Sequence, residues 1–245
     1  MQNGKIPKII HYCWFGNGEL DKLALKCIDS WNEKLPGYQI KLWNESNFDI
    51  NSNQFVKEAY DNKKWAFVSD YVRLWAVYHE GGIYMDTDVE VIRTFDDLLD
   101  HNVFLGFENK YTVSIGTFGA IKNSEWIGGL LKEYEGKSFY NNDDYKYLAP
   151  NTKLLTVYSK MSGLKLDGKM QILDNSIFIY PKDYFIAKSY ISDELEVTDK
   201  TYCIHHYSAS WIKNKNSMKS RIKKYIVRII GENLYFYITS KKNNL

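Results

Sequence analysis

The order of hydrophobic and polar positions predicts strands that alternate with helices. Residues 8–15 form an apolar run typical of a buried strand, and Gly16-Asn17-Gly18 ends it. Residues 20–31 carry apolar side chains at helical spacing, and residues 38–43 resemble a second strand. A strand, a helix and a strand within the first 45 residues are typical of the start of a nucleotide-binding α/β fold.

The pattern continues in the same way farther along the chain. Residues 53–80 are predicted to be helical, as one helix or two, and Gly81-Gly82 to end the helix. Residues 83–92 are then predicted to form one strand. Weaker patterns predict strands at 104–107, 171–180 and 201–207, and helices at 126–134 and 154–161. The fold class is therefore α/β, with a central sheet flanked by helices.

Two carboxylates near the end of the predicted strand are the first candidates for chemistry. Asp86 and Asp88 are two residues apart, so in an extended chain both side chains point to one face. Such oxygen ligands suit Mg²⁺ or Mn²⁺ when phosphate oxygens complete the coordination. Most isolated Asp-x-Asp pairs are surface acids. Here the pair ends a hydrophobic strand, at the position where open α/β sheets bind nucleotides, which favours a metal site.

Asp70 and Arg73 lie three residues apart and share one face of a predicted helix. One interpretation is an ordinary ion pair within the helix, which contributes little when exposed. The other is a pair turned into a cleft, where Asp70 binds hydroxyls and Arg73 binds phosphate or hydroxyl oxygens. Helix periodicity alone favours the first interpretation.

Together these motifs resemble glycosyltransferase family 32, the DXD-motif sugar transferases that include enzymes of capsular polysaccharide synthesis. The similar segments are Ile6-Pro7-Lys8-Ile9-Ile10-His11, Ser69-Asp70-x-x-Arg73 and Gly81-Gly82-Ile83-Tyr84-x-Asp86-x-Asp88. The glucosylating toxin domains look like distant relatives with the same spacing. The resemblance is dense over residues 6–108 and returns at 205–211. It implies a GT-A-like fold with a mixed sheet, a nucleotide-diphosphate sugar donor with a UDP-sugar favoured, Mn²⁺ or Mg²⁺, and retention of anomeric configuration.

The resemblance also implies roles for single residues. The metal ligands would be Asp88, Asp86 and His206, with the adjacent His205 as the alternative that the sequence leaves open. Because side chains alternate along a strand, the two histidines should point in opposite directions. The donor would be bound by Asp70, Arg73, Tyr84, Asp86, Ser210 and Trp211, with Trp14 stacked on the base. Asp70, Arg73, Asp86 and Asp88 would form the catalytic group.

Composition adds three expectations. A chain of 245 residues suits one large domain, predicted at 1–212, with a C-terminal segment at 213–245. Aromatic residues make up 16% of the chain, which indicates either sugar stacking or an aromatic core. The three cysteines are far apart and form no Cys-x-x-Cys pair, so we expect buried free thiols in a reducing cytoplasm.

Charge is distributed unevenly along the chain. Residues 213–245 contain nine basic residues and one acidic residue, a net charge of +8 that leaves −6 for residues 1–212. An acidic body disfavours nucleic-acid binding. Isoleucines at helical spacing among the basic residues predict an amphipathic helix in this segment. Either it contacts an anionic membrane surface on the cytoplasmic side, or it packs its isoleucines on the catalytic domain.

These patterns lead to one functional expectation and two alternatives. The expectation is a metal-dependent retaining glycosyltransferase that moves a hexose to a glycan or lipid-linked acceptor, in surface polysaccharide synthesis. The first alternative is another metal-dependent enzyme of nucleotide sugars, a nucleotidyltransferase or a hydrolase. The second is a non-catalytic carbohydrate-binding protein. No apolar run approaches the ~20 residues of a membrane-spanning helix, and the first residues lack the apolar stretch of a signal peptide, so we expect a cytoplasmic protein.

Overall fold

A computed structural model of the chain describes residues 4–140, 151–189 and 192–208, together with 225–227, 229–231, 234–235 and 238. The strands are β1 (Ile9–Cys13), β2 (Gln39–Trp43), β3 (Gly82–Met85), β4 (Val89–Val91), β5 (Val103–Asn109), β6 (Thr112–Ala120), β7 (Gln171–Leu173), β8 (Ile177–Tyr180) and β9 (Cys203–His205). The helices are α1 (Lys22–Lys34), α2 (Gln54–Asp61), α3 (Trp65–Glu80), α4 (Glu125–Lys132), α5 (Asn151–Met161) and α6 (Lys182–Phe185).

Seven strands form a mixed central sheet in the order β2-β1-β3-β6-β5-β8-β7, and β4 pairs with β9 in a separate two-stranded ribbon. Strands β1 and β3 are parallel, as are β5 and β8, and the long strand β6 runs antiparallel to both β3 and β5. The carboxyl ends of β1, β3, β5 and β8 therefore meet at one edge of the sheet, where ligands bind in open α/β folds.

The predicted α/β class is confirmed, and the predicted helical stretch 53–80 contains the two helices α2 and α3. The prediction of one continuous strand over 83–92 is wrong. The chain leaves the central sheet after Met85 and turns at residues 86–88, and Val89 then begins a strand of the ribbon. Strand β6 was not predicted, although it is the longest strand described.

Two glycines fix the angle at which α3 leads into β3. Gly81 ends the helix with φ +70°, and Gly82 follows with φ +111°, conformations that side chains rarely tolerate. A Cβ atom on Gly82 would lie 2.7 Å from the carbonyl oxygen of Ile9 on β1. The backbones of β1 and β3 therefore approach closely, which places the end of β3 beside the end of β1.

Apolar residues form one core on each face of the sheet. One core packs α2, α3, α4 and α5 against the sheet, and the other packs α1, α6 and the ribbon. Many aromatic residues are part of these cores, among them Trp31, Phe55 and Phe104. The indole Nε1 of Trp31 donates to the carbonyl oxygen of Val89 at 2.7 Å and so ties α1 to the ribbon.

All three cysteines, Cys13, Cys27 and Cys203, are buried free thiols, as predicted. Burial raises the pKa of each thiol to about 12. Among the described residues, no helix is long and apolar enough to cross a membrane. Most of the predicted segment 213–245 lies outside the described residues.

Candidate functional site

Asp86 and Asp88 lie in the turn that links β3 to β4. The amide of Asp86 donates to the carbonyl oxygen of Gly116 on β6 at 2.8 Å, and the amide of Val89 donates to the carbonyl oxygen of Asp86 at 3.0 Å. These bonds hold the turn to the edge of the central sheet. The two carboxylates face the same group of side chains, although the segment is a turn and not the extended strand that the sequence predicted.

His205 completes a cluster with these two aspartates. Strand β9 pairs with β4 so that His205 lies opposite Val89, which brings its ring to the acidic turn. Nε2 of His205 lies 3.0 Å from Oδ1 of Asp88 and 3.9 Å from Oδ2 of Asp86. One ligand atom from each of the three residues lies within 4.8 Å of the other two. Within the part of the chain that the structure describes, no other such group of metal-ligating side chains occurs.

The cluster is electrostatically coupled. Burial acts to raise the pKa of Asp88, but the His205 imidazole and the amide of Ser208, which donates to Oδ2 at 2.6 Å, outweigh it and hold that pKa well below its usual range. Burial acts to lower the pKa of His205, and the facing Asp88 carboxylate outweighs it, so the pKa rises to about 9. The protein thus stabilises negative charge on Asp88 and positive charge beside it.

His206, which the resemblance placed in the ligand role, points away from this cluster. Its Nε2 lies 2.7 Å from Oε2 of Glu90, on the opposite side of the ribbon, and Lys26 contacts the same carboxylate at 2.8 Å. The alternation of side chains along the strand gives the two histidines opposite directions, as expected. The structure therefore places His205, the alternative left open by the sequence, with Asp86 and Asp88.

Two further features are compatible with a divalent cation at this cluster. A Cβ atom on Gly116 would lie 2.9 Å from Oδ2 of Asp86 and 2.8 Å from Cε1 of His205, so only glycine leaves this space open. Nδ1 of His205 is buried and has no hydrogen-bond partner among the described residues. Two carboxylates and one imidazole form a donor set of the kind that holds Mn²⁺ or Mg²⁺ with phosphate oxygens.

Arg73 connects α3 to the acidic turn. Its guanidinium contacts Asp70 Oδ1 at 3.2 Å and Asp86 Oδ1 at 3.3 Å, and it donates to the carbonyl oxygen of Ile115 at 3.0 Å. Only 6% of the residue is exposed. The pair with Asp70 therefore exists, but it is buried and extends to Asp86, which removes the interpretation as an exposed surface pair.

Tyr84 and Asp70 complete this network. The ring of Tyr84 lies 4.6 Å from the Arg73 guanidinium carbon, and its hydroxyl donates to Asp86 Oδ1 at 3.0 Å. Burial raises the pKa of Asp70 to about 6, although the neighbouring Arg73 acts in the opposite direction. The sequence thus predicted four residues that the structure brings together: Asp70, Arg73, Tyr84 and Asp86.

Sequence reasoning missed Asn151, the first residue of α5. Its side chain is 3% exposed, and Nδ2 donates to the carbonyl oxygen of Asp70 at 3.0 Å. Its Oδ1 is buried without a partner among the described residues. Nothing in the local sequence relates this asparagine to the acidic turn, because only the packing of α5 brings it there.

The remaining predicted residues differ in position. Trp14 follows β1 at the same edge of the sheet, where its indole donates to the carbonyl oxygen of Gly18 at 2.6 Å. Ser210 and Trp211 lie outside the described residues. Glu108 lies within β5 and accepts a hydrogen bond from the Tyr207 hydroxyl at 3.4 Å. Its position beside the cluster was not predicted.

Comparisons with known proteins relate the chain to glycosyltransferases. Residues 21–105 match the family model described as the glycosyltransferase sugar-binding region containing the DXD motif. The chain is 29% identical over 154 residues to inositol phosphoceramide mannosyltransferase 3 of Schizosaccharomyces pombe. This alignment covers 60% of this chain and 42% of that protein. The chain is 25% identical over 123 residues to subversion of eukaryotic traffic protein A of Legionella pneumophila, covering 39% of this chain and 19% of that protein. The chain thus spans less than half the length of these relatives.

Among solved structures, the PaToxG glycosyltransferase superimposes with a TM-score of 0.50 at 16% sequence identity, over 65% of this chain and 72% of that one. This likeness concerns the fold alone and confirms the GT-A-like fold. The resemblance to DXD-motif glycosyltransferases is confirmed by the family model, which spans the Asp70–Arg73 helix and the acidic turn.

Proposed function

We propose that the protein is a metal-dependent, retaining glycosyltransferase that moves a hexose from a nucleotide-diphosphate sugar, with a UDP-sugar favoured, to a glycan or lipid-linked acceptor in surface polysaccharide synthesis. One observation carries the proposal. The buried Asp70–Arg73–Asp86 network and the Asp86–Asp88–His205 cluster share Asp86, so sugar-binding groups and metal-ligating groups adjoin at one sheet edge.

Each group has a role that follows from its chemistry. Asp86, Asp88 and His205 would hold the divalent cation, which supplies positive charge where the departing diphosphate becomes negative. Asp70 would accept hydrogen bonds from sugar hydroxyls, as would Oδ1 of Asn151, which has no partner among the described residues. The planar guanidinium of Arg73 would fix the geometry around them. Trp14 at the end of β1 would stack on the base, and Ser210 and Trp211 would approach the diphosphate.

The proposed reaction retains the anomeric configuration because the acceptor attacks the same face of the sugar from which the leaving group departs. The acceptor oxygen bonds to the anomeric carbon while the bond from that carbon to the phosphate oxygen breaks with its electron pair. The acceptor's hydroxyl proton passes to the departing phosphate oxygen. Asp70 is a conceivable nucleophile for a covalent intermediate, but its ion pair with Arg73 makes it a weak one. We therefore favour this route over a covalent intermediate.

The direct test is hydrolysis of a panel of UDP- and GDP-sugars, followed by mass spectrometry with and without Mn²⁺. A transferase of this kind releases one sugar from one nucleotide slowly, and only with the metal. A carbohydrate-binding protein releases no sugar from any nucleotide and does not bind the nucleoside diphosphate. A nucleotidyltransferase cleaves the diphosphate itself and yields a sugar phosphate. NMR identifies the anomeric configuration of the transferred sugar. A configuration inverted relative to the donor would contradict the retaining assignment.

The buried arginine gives a test that separates geometry from charge. We expect Arg73→Lys to lower kcat/KM by at least about 100-fold, because lysine keeps the charge but its single nitrogen cannot bind the Ile115 carbonyl and still contact Asp70 and Asp86 as the planar guanidinium does. Asp70→Asn should lose activity similarly, while both variants still bind the nucleoside diphosphate with Mn²⁺. Arg93→Lys is the matched control, because Arg93 pairs with Asp97 on the surface. If the Arg73 and Asp70 variants only lower the melting temperature, their network is structural.

We further propose that the basic C-terminal segment contacts an anionic membrane surface. Within its described residues, Val227 is buried, but Tyr225 and Ile229 are each 67% exposed and Ile226 is also exposed. The segment therefore leaves isoleucines in solvent instead of packing all of them on the domain. The sequence of this segment contains nine basic residues, and a basic residue near anionic lipid contributes about 1 kcal/mol.

Liposome flotation tests this contact. The protein should float with anionic vesicles at low salt, remain unbound to neutral vesicles, and lose binding in the double variant Ile226→Ser and Ile229→Ser. Met161→Ser is the matched control, because Met161 is an exposed apolar residue on α5. Equal flotation of the double variant and the parent protein would contradict a role for the isoleucines. An unbound parent protein would contradict the membrane contact itself.

A further inference from the structure

A cavity of about 700 Å³ opens at the carboxyl ends of β5 and β8. Asn109, the last residue of β5, lines it together with Lys182, which begins α6 after β8. Asp86, Asp88 and His205 do not line the cavity. Because β5 and β8 run in the same direction as β3, the cavity and the acidic turn lie at the same edge of the sheet. Its volume is within the range of small-molecule sites.

Glu108 connects the cavity to the metal-ligating cluster. It stands between Phe107 and Asn109, which both line the cavity. The hydroxyl of Tyr207 donates to Glu108 at 3.4 Å, and the Tyr207 ring stacks on the ring of His205 with centroids 4.2 Å apart. Glu108 and Tyr207 thus form a continuous path of contacts from the strand that lines the cavity to a ligand of the cluster, on the edge of the sheet where the donor would bind.

The lining favours a neutral ligand with many hydroxyl groups. Carboxylates outnumber amines in it, because its charged residues are Asp167, Asp183, Glu194, Glu196, Lys110 and Lys182. This balance repels a second nucleotide or an acidic sugar. Carboxylates accept hydrogen bonds from hydroxyls, and Ile186 and Ala187 offer apolar surface to the carbon–hydrogen face of a sugar ring.

We propose that this cavity binds the acceptor as a neutral glycan headgroup, an assignment that rests on the proposed glycosyltransferase function. The headgroup supplies the hydroxyl whose oxygen bonds to the anomeric carbon as the diphosphate leaves with its electron pair and receives the hydroxyl proton. Val227 and Gly231 of the basic C-terminal segment also line the cavity. An acceptor carried by a membrane lipid would therefore enter the cavity beside the segment that we propose to contact the membrane.

The test uses methyl glycosides of glucose, galactose, mannose and N-acetylglucosamine, with methyl glucuronide as the acidic probe. Saturation-transfer NMR measures their binding in the presence of UDP and Mn²⁺. We expect at least one neutral glycoside to bind and the glucuronide not to bind. Asp183→Asn and Glu196→Gln should each weaken that binding by at least about fivefold. The matched controls Asp61→Asn on α2 and Glu33→Gln on α1 should leave binding unchanged, since neither residue lines the cavity.

Donor hydrolysis without acceptor is measured on the same proteins and should be equal in the parent protein and in the Asp61 and Glu33 controls. Absence of any neutral-glycoside signal with the parent protein overturns the acceptor assignment, as does equal binding by the Asp183 and Glu196 variants. If the parent protein binds a glycoside in the cavity but hydrolyses no donor, the proposed transferase function fails and the acceptor role fails with it. The two failures are thus distinguishable.

Discussion

Asp88→Ala is expected to abolish sugar transfer and metal-dependent nucleotide binding while the fold is retained. Asp88 is 6% exposed and lies 3.0 Å from Nε2 of His205, so its loss removes one of three candidate ligands and a principal negative charge. The loss of transition-state stabilisation should reach several kcal/mol, which lowers kcat/KM by at least about 100-fold. Donor hydrolysis with Mn²⁺ and a thermal-shift titration of UDP with Mn²⁺ measure the two effects.

A second carboxylate–histidine pair in the ribbon supplies the control for Asp88. Glu90 lies 2.7 Å from His206 on the other side of β4 and β9, outside the cluster. Glu90→Gln should therefore keep hydrolysis near the parent level. Asp88→Asn keeps an oxygen that accepts the hydrogen bond from the Ser208 amide. This variant therefore separates loss of the carboxylate charge from loss of the fold. Near-normal hydrolysis by Asp88→Ala would show that Asp88 is not a metal ligand.

Gly116→Ala should inactivate the protein without touching a single charged side chain. The added methyl would lie 2.8 Å from Cε1 of His205 and 2.9 Å from Oδ2 of Asp86, closer than real Cβ atoms approach other groups. Either the ring or the carboxylate must move, and a displacement of about 1 Å at a reacting centre costs about 100-fold in rate. We expect the Mn²⁺-dependent thermal shift to disappear together with donor hydrolysis.

The matched control for this substitution is Gly4→Ala. Among the described residues, a Cβ atom there would meet Ile121 alone, at an ordinary distance of 3.8 Å. Gly4→Ala should leave both the thermal shift and hydrolysis unchanged. Full Mn²⁺ response in Gly116→Ala would mean that the space between Asp86 and His205 is not used by a cation.

The sequence identified the residues of the candidate site better than it described the local structure. Spacing and resemblance identified Asp70, Arg73, Tyr84, Asp86 and Asp88, because side chains close in sequence keep a fixed relation on one helix or one strand end. The same reasoning extended the strand through residues 86–88. Hydrophobic alternation continues into Val89 and Val91, and the pattern contains no sign that these residues pair with β9 in a different sheet.

Residues brought together only by long-range packing were beyond prediction. Asn151 reaches Asp70 because α5 packs against β6, and no local pattern encodes that contact. The choice between His205 and His206 depends on which of them faces the acidic turn, and alternation showed only that the two differ. Strand β6 was missed because Gly116 and Gly119 interrupt its apolar pattern. Those glycines make room for His205 and Phe104 respectively.

The short ribbon pairs β4 with β9, two strands that are far apart in the sequence. The proposed activity depends on the register of this pairing. His205 belongs to the cluster only because it lies opposite Val89, and a slip of one residue would turn it to the opposite face. Cys203 opposes such a slip, since it is fully buried and its thiol donates to the carbonyl oxygen of Phe185 at 3.4 Å. More than a hundred residues separate Asp88 from His205 along the chain. A newly made chain can therefore assemble the group of Asp86, Asp88 and His205 only after β9 has docked on β4, so the proposed use of a donor would have to await this late pairing.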